Sequence, residues 1–343
     1  MLTRLLIFAF LTTSAITLFA QRNEQEVLIN SRSLSTASIR SVEAETQGGN
    51  ISLEGVADAD ARVEVYAWGR GSDESIKQRV SDYYTVKIET DNNKLSVSAK
   101  RKKSFGRNDQ VSVSFRVYVP VSVSSELNTS GGNISCRHLS GNRQWVQTSG
   151  GNIAFDDVKG DATGKTSGGN ISISNCSETF DLFTSGGNIH ARRSEGKLSL
   201  STSGGNIALE ELSGTIKAKT SGGNVTADRV SGSLITSSSG GNLQLGDLSC
   251  SLEASTSGGN LNIAIKKIGE HVKLRNSGGG NTHLELPGGT GMDIHATGSS
   301  VRVERTVGFT GDIREREIKG SVNGGGIPVD IDGGASRVVV TIR

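Results

Sequence analysis

Residues 184–224 read TSGGNIHARRSEGKLSLSTSGGNIALEELSGTIKAKTSGGN, two full copies of one pattern and the start of a third. Ser-Gly-Gly-Asn occurs eight times in the chain, with its asparagines at Asn133, Asn152, Asn170, Asn188, Asn206, Asn224, Asn242 and Asn260. The first step is 19 residues and the next six are 18 each. A degenerate copy ends at Asn281, and an isolated Gln-Gly-Gly-Asn ends at Asn50. A fixed period of this length marks a repeat architecture and argues against disorder, which needs no period.

Counted from the asparagine, position +1 is always Ile, Val or Leu, from Ile134 and Ile153 through Val225 to Leu261. Position +3 is usually apolar (Phe155, Ile173, Leu209, Leu245), and so is +6 (Leu139, Val158, Leu212, Val230, Leu248). Glycine follows at +8 (Gly160, Gly196, Gly214, Gly232). Positions +10 and +12 alternate again, as in Leu198 and Leu200 or Ile216 and Ala218. Alternation with period two, bounded by turn residues, predicts two short half-buried strands per repeat. Two glycine turns in 18 residues leave no room for helices. Such strands cannot bury their own faces, but stacked coils roughly 4.8 Å apart can. The expected fold is all-β: a single-stranded β-solenoid, or β-helix, of about 18-residue coils. Irregular N-terminal coils with a cap and C-terminal capping strands would close its ends.

Composition agrees with a thin core. The chain has 343 residues, 45 of them glycine and 3 proline, with 34% hydrophobic and 4% aromatic residues. Glycine at that level excludes a helical bundle, and the missing triplet period excludes collagen. Ten copies of the turn use 21 of the 45 glycines. Glycine reaches positive φ without penalty and asparagine tolerates the left-handed region. A corner repeated at identical φ/ψ would therefore select both types. Stacked asparagines would also pass amide hydrogen bonds along a ladder. The threonine before the motif (Thr129, Thr148, Thr166, Thr184, Thr202, Thr220, Thr256) should point inward as a hydrogen-bonded corner residue.

Repeated Thr-Ser-Gly-Gly-Asn-Ile, preceded by Val-Ser-Phe-Arg-Val-Tyr-Val-Pro (113–120), resembles a bacterial domain-of-unknown-function family labelled "putative adhesin". Leu286-Pro287, Met292-Asp293-Ile294, Ala296 and Val301-Arg302-Val303 are similar to that family's late coils, and Asn323-Gly324-Gly325-Gly326 to its closing turn. The likeness extends over roughly residues 40–343. It implies a β-solenoid on an exported or envelope-associated protein and carries over no catalytic residue.

Around the repeats, residues 1–20 have a secretory design: Arg4, an apolar run from Leu5, and a cleavage point at Ala20–Gln21. That run is shorter than the ~20 residues a spanning helix needs, and no later stretch is long enough either. Residues 21–128 read as irregular coils and cap, 129–282 as the regular repeats, and 283–343 as C-terminal coils and cap, ending in Arg337–Ile342. Within the first flank, residues 72–84 predict a short amphipathic helix with Ile76, Val80 and Tyr83/Tyr84 on one face. Residues 85–90 and 94–99 predict a hairpin, and 110–119 a strand stopped by Pro120.

No catalytic constellation stands out. Gly164-Lys165-Thr166 lacks the earlier glycine and the helix of a phosphate loop. Asp156–Asp157 and Glu210–Glu211 suggest glycosidase carboxylates, but both pairs fall at +4/+5. There, successive coils would form a solvent-facing ladder of alternating charge, with Arg192–Arg193 beside Glu210–Glu211. Asp330-Ile331-Asp332-Gly333 lacks most ligands of a calcium loop. The five histidines (His138, His190, His271, His283, His295) show no metal spacing. The basic run 100–103 reads as a solvated turn. Cys136, Cys176 and Cys250 lie too many rungs apart to pair, so three free thiols are expected, with Cys136 and Cys176 in the core. Trp68 and Trp145 are the only tryptophans and offer no obvious sugar-stacking platform.

The sequence thus supports a non-enzymatic, exported adhesion, scaffold or interaction protein that is periplasmic, outer-surface or secreted and needs no cofactor or metal. Its partner would be a protein or glycan of the cell envelope. Removal of residues 1–20 changes the net charge from +2 to +1 by the loss of Arg4, a balance that selects neither nucleic acid nor an anionic membrane. A periplasmic sensor of envelope stress and a glycan-active β-helix enzyme are the competing readings.

Overall fold

The computed structural model describes residues 24–35, 39–56, 60–106, 109–304 and 308–343. The expected leader, 1–20, lies outside the described residues. In chain order the first part holds β1 (Glu24–Ser33), β2 (Ser41–Thr46), β3 (Ile51–Val56), β4 (Arg62–Arg70), α1 (Asp73–Tyr83), β5 (Tyr84–Asp91), β6 (Lys94–Arg101) and β7 (Val111–Pro120). The middle part holds β8 (Ser124–Thr129), β9 (Ile134–Leu139), β10 (Arg143–Thr148), β11 (Ile153–Thr166), β12 (Ile171–Ser174), β13 (Ser177–Thr184), β14 (Ile189–Thr202), β15 (Ile207–Thr220), β16 (Val225–Ser238), β17 (Leu243–Thr256) and β18 (Leu261–Asn276). The last part holds β19 (Thr282–Leu286), β20 (Met292–Thr297), β21 (Ser300–Glu304), β22 (Phe309–Ile313), β23 (Glu317–Val322), β24 (Ile327–Asp332) and β25 (Arg337–Ile342).

The middle part is a stack of parallel rungs. Ile189 lies beside Ile207, Ile207 beside Val225 and Val225 beside Leu243, so every equivalent position meets its copy. Each rung turns inward the positions that alternation selects. In β15 these are Ile207, Leu209, Leu212, Ile216 and Ala218, with Thr220 at the corner, and all six are buried. Two left-handed residues bend the regular rungs, and the register skips the first of them. One is at +5 (Arg193, φ 45°; Glu211, φ 55°; Arg229, φ 54°) and the other is the glycine at +8 (Gly196, φ 110°; Gly214, φ 110°). Where the core side chains grow, another inward position shrinks. Phe155 and Phe180 meet edge to face at 5.5 Å, and Gly164 fills the +12 place between Val146 and Leu182. A Cβ there would stand 2.8 Å from Leu182 Cδ2 and 3.4 Å from Phe155 Cε2. Gly164 is therefore a volume correction in the core.

The glycines of Ser-Gly-Gly-Asn overturn the reason given for them above. None of them has positive φ among the described residues. The second glycine of each motif is required by close approach: a Cβ on Gly205 would overlap the carbonyl of Gly187, and one on Gly223 the carbonyl of Gly205. The first glycine is nearly free, with the nearest atom to a Cβ on Gly204 at 3.7 Å.

At both ends the chain order departs from the rung order. The isolated Gln-Gly-Gly-Asn is not isolated in space. β2 pairs in parallel with β8 and β3 with β9, which sets Ile51 beside Ile134 across 83 residues of sequence. On their other sides β2 and β3 pair in parallel with β6 and β7. In sequence order the second rung (β2 and β3) therefore precedes the first (β6 and β7) and the third (β8 and β9). A regular rung thus sits inside the 21–128 flank. β4 then lies antiparallel on β7 and β1 on β4, while β5 lies antiparallel on β6. The helix forms as expected: Ser72 caps Ser75 N–H, and Ile76 and Val80 are buried.

The far end repeats the device. β24 lies in parallel between β18 and β20, and β25 between β19 and β21. The chain skips one rung, lays down β20 and β21, covers β20 with antiparallel β23 and β22, and then fills the gap with its last two strands. The antiparallel layers answer the problem of an open parallel edge, which otherwise offers unpaired backbone groups to another chain.

Candidate functional site

The residues that repeat are spent on the stack itself. Each motif asparagine accepts, through its side-chain oxygen, the backbone N–H of the next one. Nine such bonds of 2.8 Å run without interruption from Asn50 to Asn281, through Asn133, Asn152, Asn170, Asn188, Asn206, Asn224, Asn242 and Asn260. The ladder is thus side chain to backbone, and an amide-to-amide bond joins only Asn260 to Asn242 among the described residues. The corner threonines point inward. Thr202 donates to Gly187 O at 2.8 Å and accepts from Gly205 N at 3.2 Å, and Ser238 makes the same two bonds in its rung.

Many outward positions do not repeat. One column runs Trp145, Thr163, Asp181, Ser199, Lys217, Ile235, Glu253, Lys273, each beside the next. The second column, at +4/+5, carries the acid pairs. Asp156 accepts hydrogen bonds from Ser174 (2.6 Å) and Asn175 (3.0 Å), which hold its carboxyl below the ordinary range. Glu210 has His190 at 3.7 Å, and Glu211 has Arg229 at 3.1 Å. Arg192 stands beside Glu210 in register, but the expected ion pair between Arg192–Arg193 and Glu210–Glu211 does not form; Arg193 instead donates to Asn175 at 3.0 Å. Left-handed backbone at +5 turns successive side chains outward, where they splay. Every histidine has a glutamate within 4 Å: His138–Glu54, His190–Glu210, His271–Glu253, His283–Glu285 and His295–Glu317.

Three other residue groups can be placed, and only the basic run differs in its element from the sequence reading. Cys250 is buried along with Cys136 and Cys176, and all three are free. Burial pushes the Cys176 and Cys250 thiols up to about 11 and Cys136 higher still, so none is a ready nucleophile. Lys100 and Arg101 belong to β6 and not to a turn, and the run stays exposed while making contacts. Lys100 lies 3.6 Å from Glu45, Lys102 donates to Ser81 O at 2.7 Å, and Lys103 sits 4.6 Å over the Tyr83 ring. Lys165 faces outward on β11.

A cleft of about 850 Å³ opens at the N-terminal cap, between the end of β4, α1, and Phe105, Asp109 and Gln110 from the stretch between β6 and β7. Trp68 stands at one side, 47% exposed. Its indole N–H donates to Glu24 Oε2 at 3.0 Å, and Arg70 Nε donates to Glu24 Oε1 at 3.0 Å. Those two bonds hold the Glu24 carboxyl below its usual range. Phe105, Tyr83 and Tyr84 form an aromatic cluster with ring centroids 5.2 Å and 6.1 Å apart, and Phe105 and Tyr84 reach the cleft wall. Asp109 accepts from Tyr83 at 2.6 Å, raising the phenol's pKa. No sequence signal marked this cleft, since its walls gather residues of β1, β4, α1, β6 and β7, and only Gln47 and Gly48 belong to a copy of the motif. The exposed Trp68 was the available clue.

Among the described residues no group of histidine, cysteine and carboxylate side chains could hold a metal ion, and no helix is long and apolar enough to cross a membrane. A family model described as Toastrack DUF4097 matches residues 68–236, from the end of β4 into β16, a narrower stretch than the one over which the motifs extend. Among solved structures the chain is similar to a "putative cell adhesion protein" from Clostridium sporogenes, with 10% identity over 94% of this chain and 100% of that one and a TM-score of 0.23. It is also similar to a "putative adhesin" from Bacteroides fragilis, with 12% identity over 74% of this chain and 98% of that one and a TM-score of 0.32. No curated protein matches the sequence.

Proposed function

We propose that this chain is an exported, non-enzymatic β-solenoid of about 18-residue coils that acts in the cell envelope by adhesion, holding a long rigid wall against a protein or glycan partner. One observation carries the reading: residues that repeat bond inside the stack, whereas the outward column that starts at Trp145 changes at every rung. A column such as Trp145, Thr163, Asp181, Ser199, Lys217, Ile235 is a surface written residue by residue on a uniform frame. Solenoids use such extended faces for binding. The carboxylates that would serve a glycosidase are taken up by neighbouring rungs, Asp156 by Ser174 and Asn175 and Glu211 by Arg229.

The test is sedimentation of the purified mature chain with envelope fractions of the cells that make it. Saturable binding, weakened by alanine at Trp145, Asp181 and Lys217 together, supports the proposal. A chain that stays soluble, monomeric and unbound overturns it. Turnover of a polysaccharide, abolished by replacing Asp156–Asp157 or Glu210–Glu211, would replace it with the enzymatic reading.

A further inference from the structure

We propose that the cleft at the N-terminal cap binds an acidic oligosaccharide, one carrying uronic acid residues, with Trp68 as the stacking platform and Arg79 and Arg101 as partners for its carboxylates. The proposal rests on the adhesion reading and names the chemistry of one contact within it. Three observations point to this ligand class.

The first is the indole. A pyranose has a face of C–H bonds that packs against an aromatic plane while its hydroxyls reach polar groups at the rim, and an amphipathic ring at a concave surface suits that task. Trp68 is half exposed in a chain with only two tryptophans, and the hydrogen bond to Glu24 fixes its orientation. A platform already held in place loses little freedom on binding. The second is size and lining. A cleft of about 850 Å³ falls within the ~300–1,000 Å³ of small-ligand sites. Gln25, Gln47 and Gln110 add planar amides to its walls.

The third is charge. Both acids in the walls are already engaged: Glu24 by Trp68 and Arg70, and Asp109 by Tyr83. Arg79 donates only to the carbonyls of Ser75 and Arg70, and Arg101 lies 5.1 Å over the Phe105 ring. Neither guanidinium has a carboxylate partner within 4 Å among the described residues. Arginine presents a planar fork of donors that matches a carboxylate. The cleft therefore combines a hydrophobic plate with two cations free to take an anion.

The experiment uses the mature chain with Trp145→Phe, so that its fluorescence reports on Trp68. It is titrated with trigalacturonate and, separately, with maltotriose. The expected result is a saturable change with trigalacturonate that weakens at least tenfold in Arg79→Gln/Arg101→Gln and weakens in 0.5 M salt, with no change from maltotriose. Trp68→Ala, followed by calorimetry, should abolish binding, and Trp68→Phe should retain part of it while keeping the wild-type circular dichroism. No saturable change with trigalacturonate overturns the proposal. So does equal binding of maltotriose, of a triglutamate peptide, or by the double arginine variant. If Trp68→Ala still sediments with the envelope and trigalacturonate does not bind, the adhesion reading stands and this cleft is not its contact.

Discussion

The uniform stack and the two ends solve the same problem by different routes. In the middle, from β14 to β17, each residue meets its copy 18 residues on, and pairing needs no information beyond the previous rung. At the ends, β2 meets β8 and β25 meets β19 across long stretches of sequence, and each end strand is held on both sides. A rung added in order at the tip would present an open edge and fray. A rung inserted between two others cannot leave without parting both neighbours. Regularity gives the middle its length, and broken order closes it.

The strongest way to break that contrast is to remove a rung from each region. Deleting residues 189–206 joins Asn188 to Ile207, preserves the motif, and lets β15 take the place of β14. The shortened chain should fold with native circular dichroism. Deleting residues 327–343 removes only two strands but empties the place between β18–β19 and β20–β21. Amides of β20 to β23 should then exchange roughly a hundredfold faster or more, while β14 to β16 stay protected. If both deletions behave alike under hydrogen exchange, the ends are no more than extra rungs.

A smaller but sharper contrast lies within one corner. Gly204 and Gly205 are adjacent and both belong to Ser-Gly-Gly-Asn. Gly205→Ala drives a methyl into the Gly187 carbonyl, where only backbone can give way, and should cost about 3 kcal/mol. Gly204→Ala meets nothing closer than 3.7 Å and should change stability by less than about 0.5 kcal/mol. Urea midpoints of the two variants decide the matter. Equal losses would restore the backbone-angle explanation of the motif.

This corner also marks how far the sequence could be read. Period, inward positions and the hydrogen-bonded threonine followed from alternation and spacing alone, because each is local to one repeat. The role of the second glycine did not. Positive φ and close approach select the same residue, and only the position of the neighbouring carbonyl separates them. The interleaved ends were hidden for a different reason. Asn50 carries the motif, but 83 residues separate it from Asn133, and an offset used once cannot register as a period. β24 and β25 lack the motif altogether. The cap cleft was least legible, since Glu24, Trp68, Arg79 and Arg101 are brought together by four separate elements.

One substitution with opposite outcomes tests the inward threonines. Thr220→Val removes a donor to Gly205 O and an acceptor for Gly223 N, leaving both buried, and should cost about 2 kcal/mol. Thr220→Ser should recover most of that, as Ser238 shows the hydroxyl alone makes both bonds. Thr236 occupies +12, where its neighbours are Ala218 and Ala254, and its buried hydroxyl has no partner. Thr236→Val should therefore stabilise by about 1 kcal/mol. Two losses would mean that the corner and the core place the same demand on threonine.

A further effect concerns a rung in which the second bend is left-handed without its glycine. Gly160, Gly196, Gly214 and Gly232 take positive φ at +8, and the third coil places Glu178 there at φ 86°. A side chain in that region crowds its own carbonyl, a strain of order 1–3 kcal/mol that persists only because flanking rungs impose the bend. Glu178 is held in register by Gly160 on one side and Gly196 on the other. Its one ionic contact, to Lys159 at 3.8 Å, is exposed and contributes little. Glu178→Gly should relieve the strain, offset in part by the greater freedom of glycine in the unfolded chain, for a net gain of about 1 kcal/mol. A higher urea midpoint with an unchanged slope would show that the stack, and not the residue, sets the backbone at this bend. A lower midpoint would mean that Glu178 holds its rung through a contact of its own and that the middle is less uniform than its register implies.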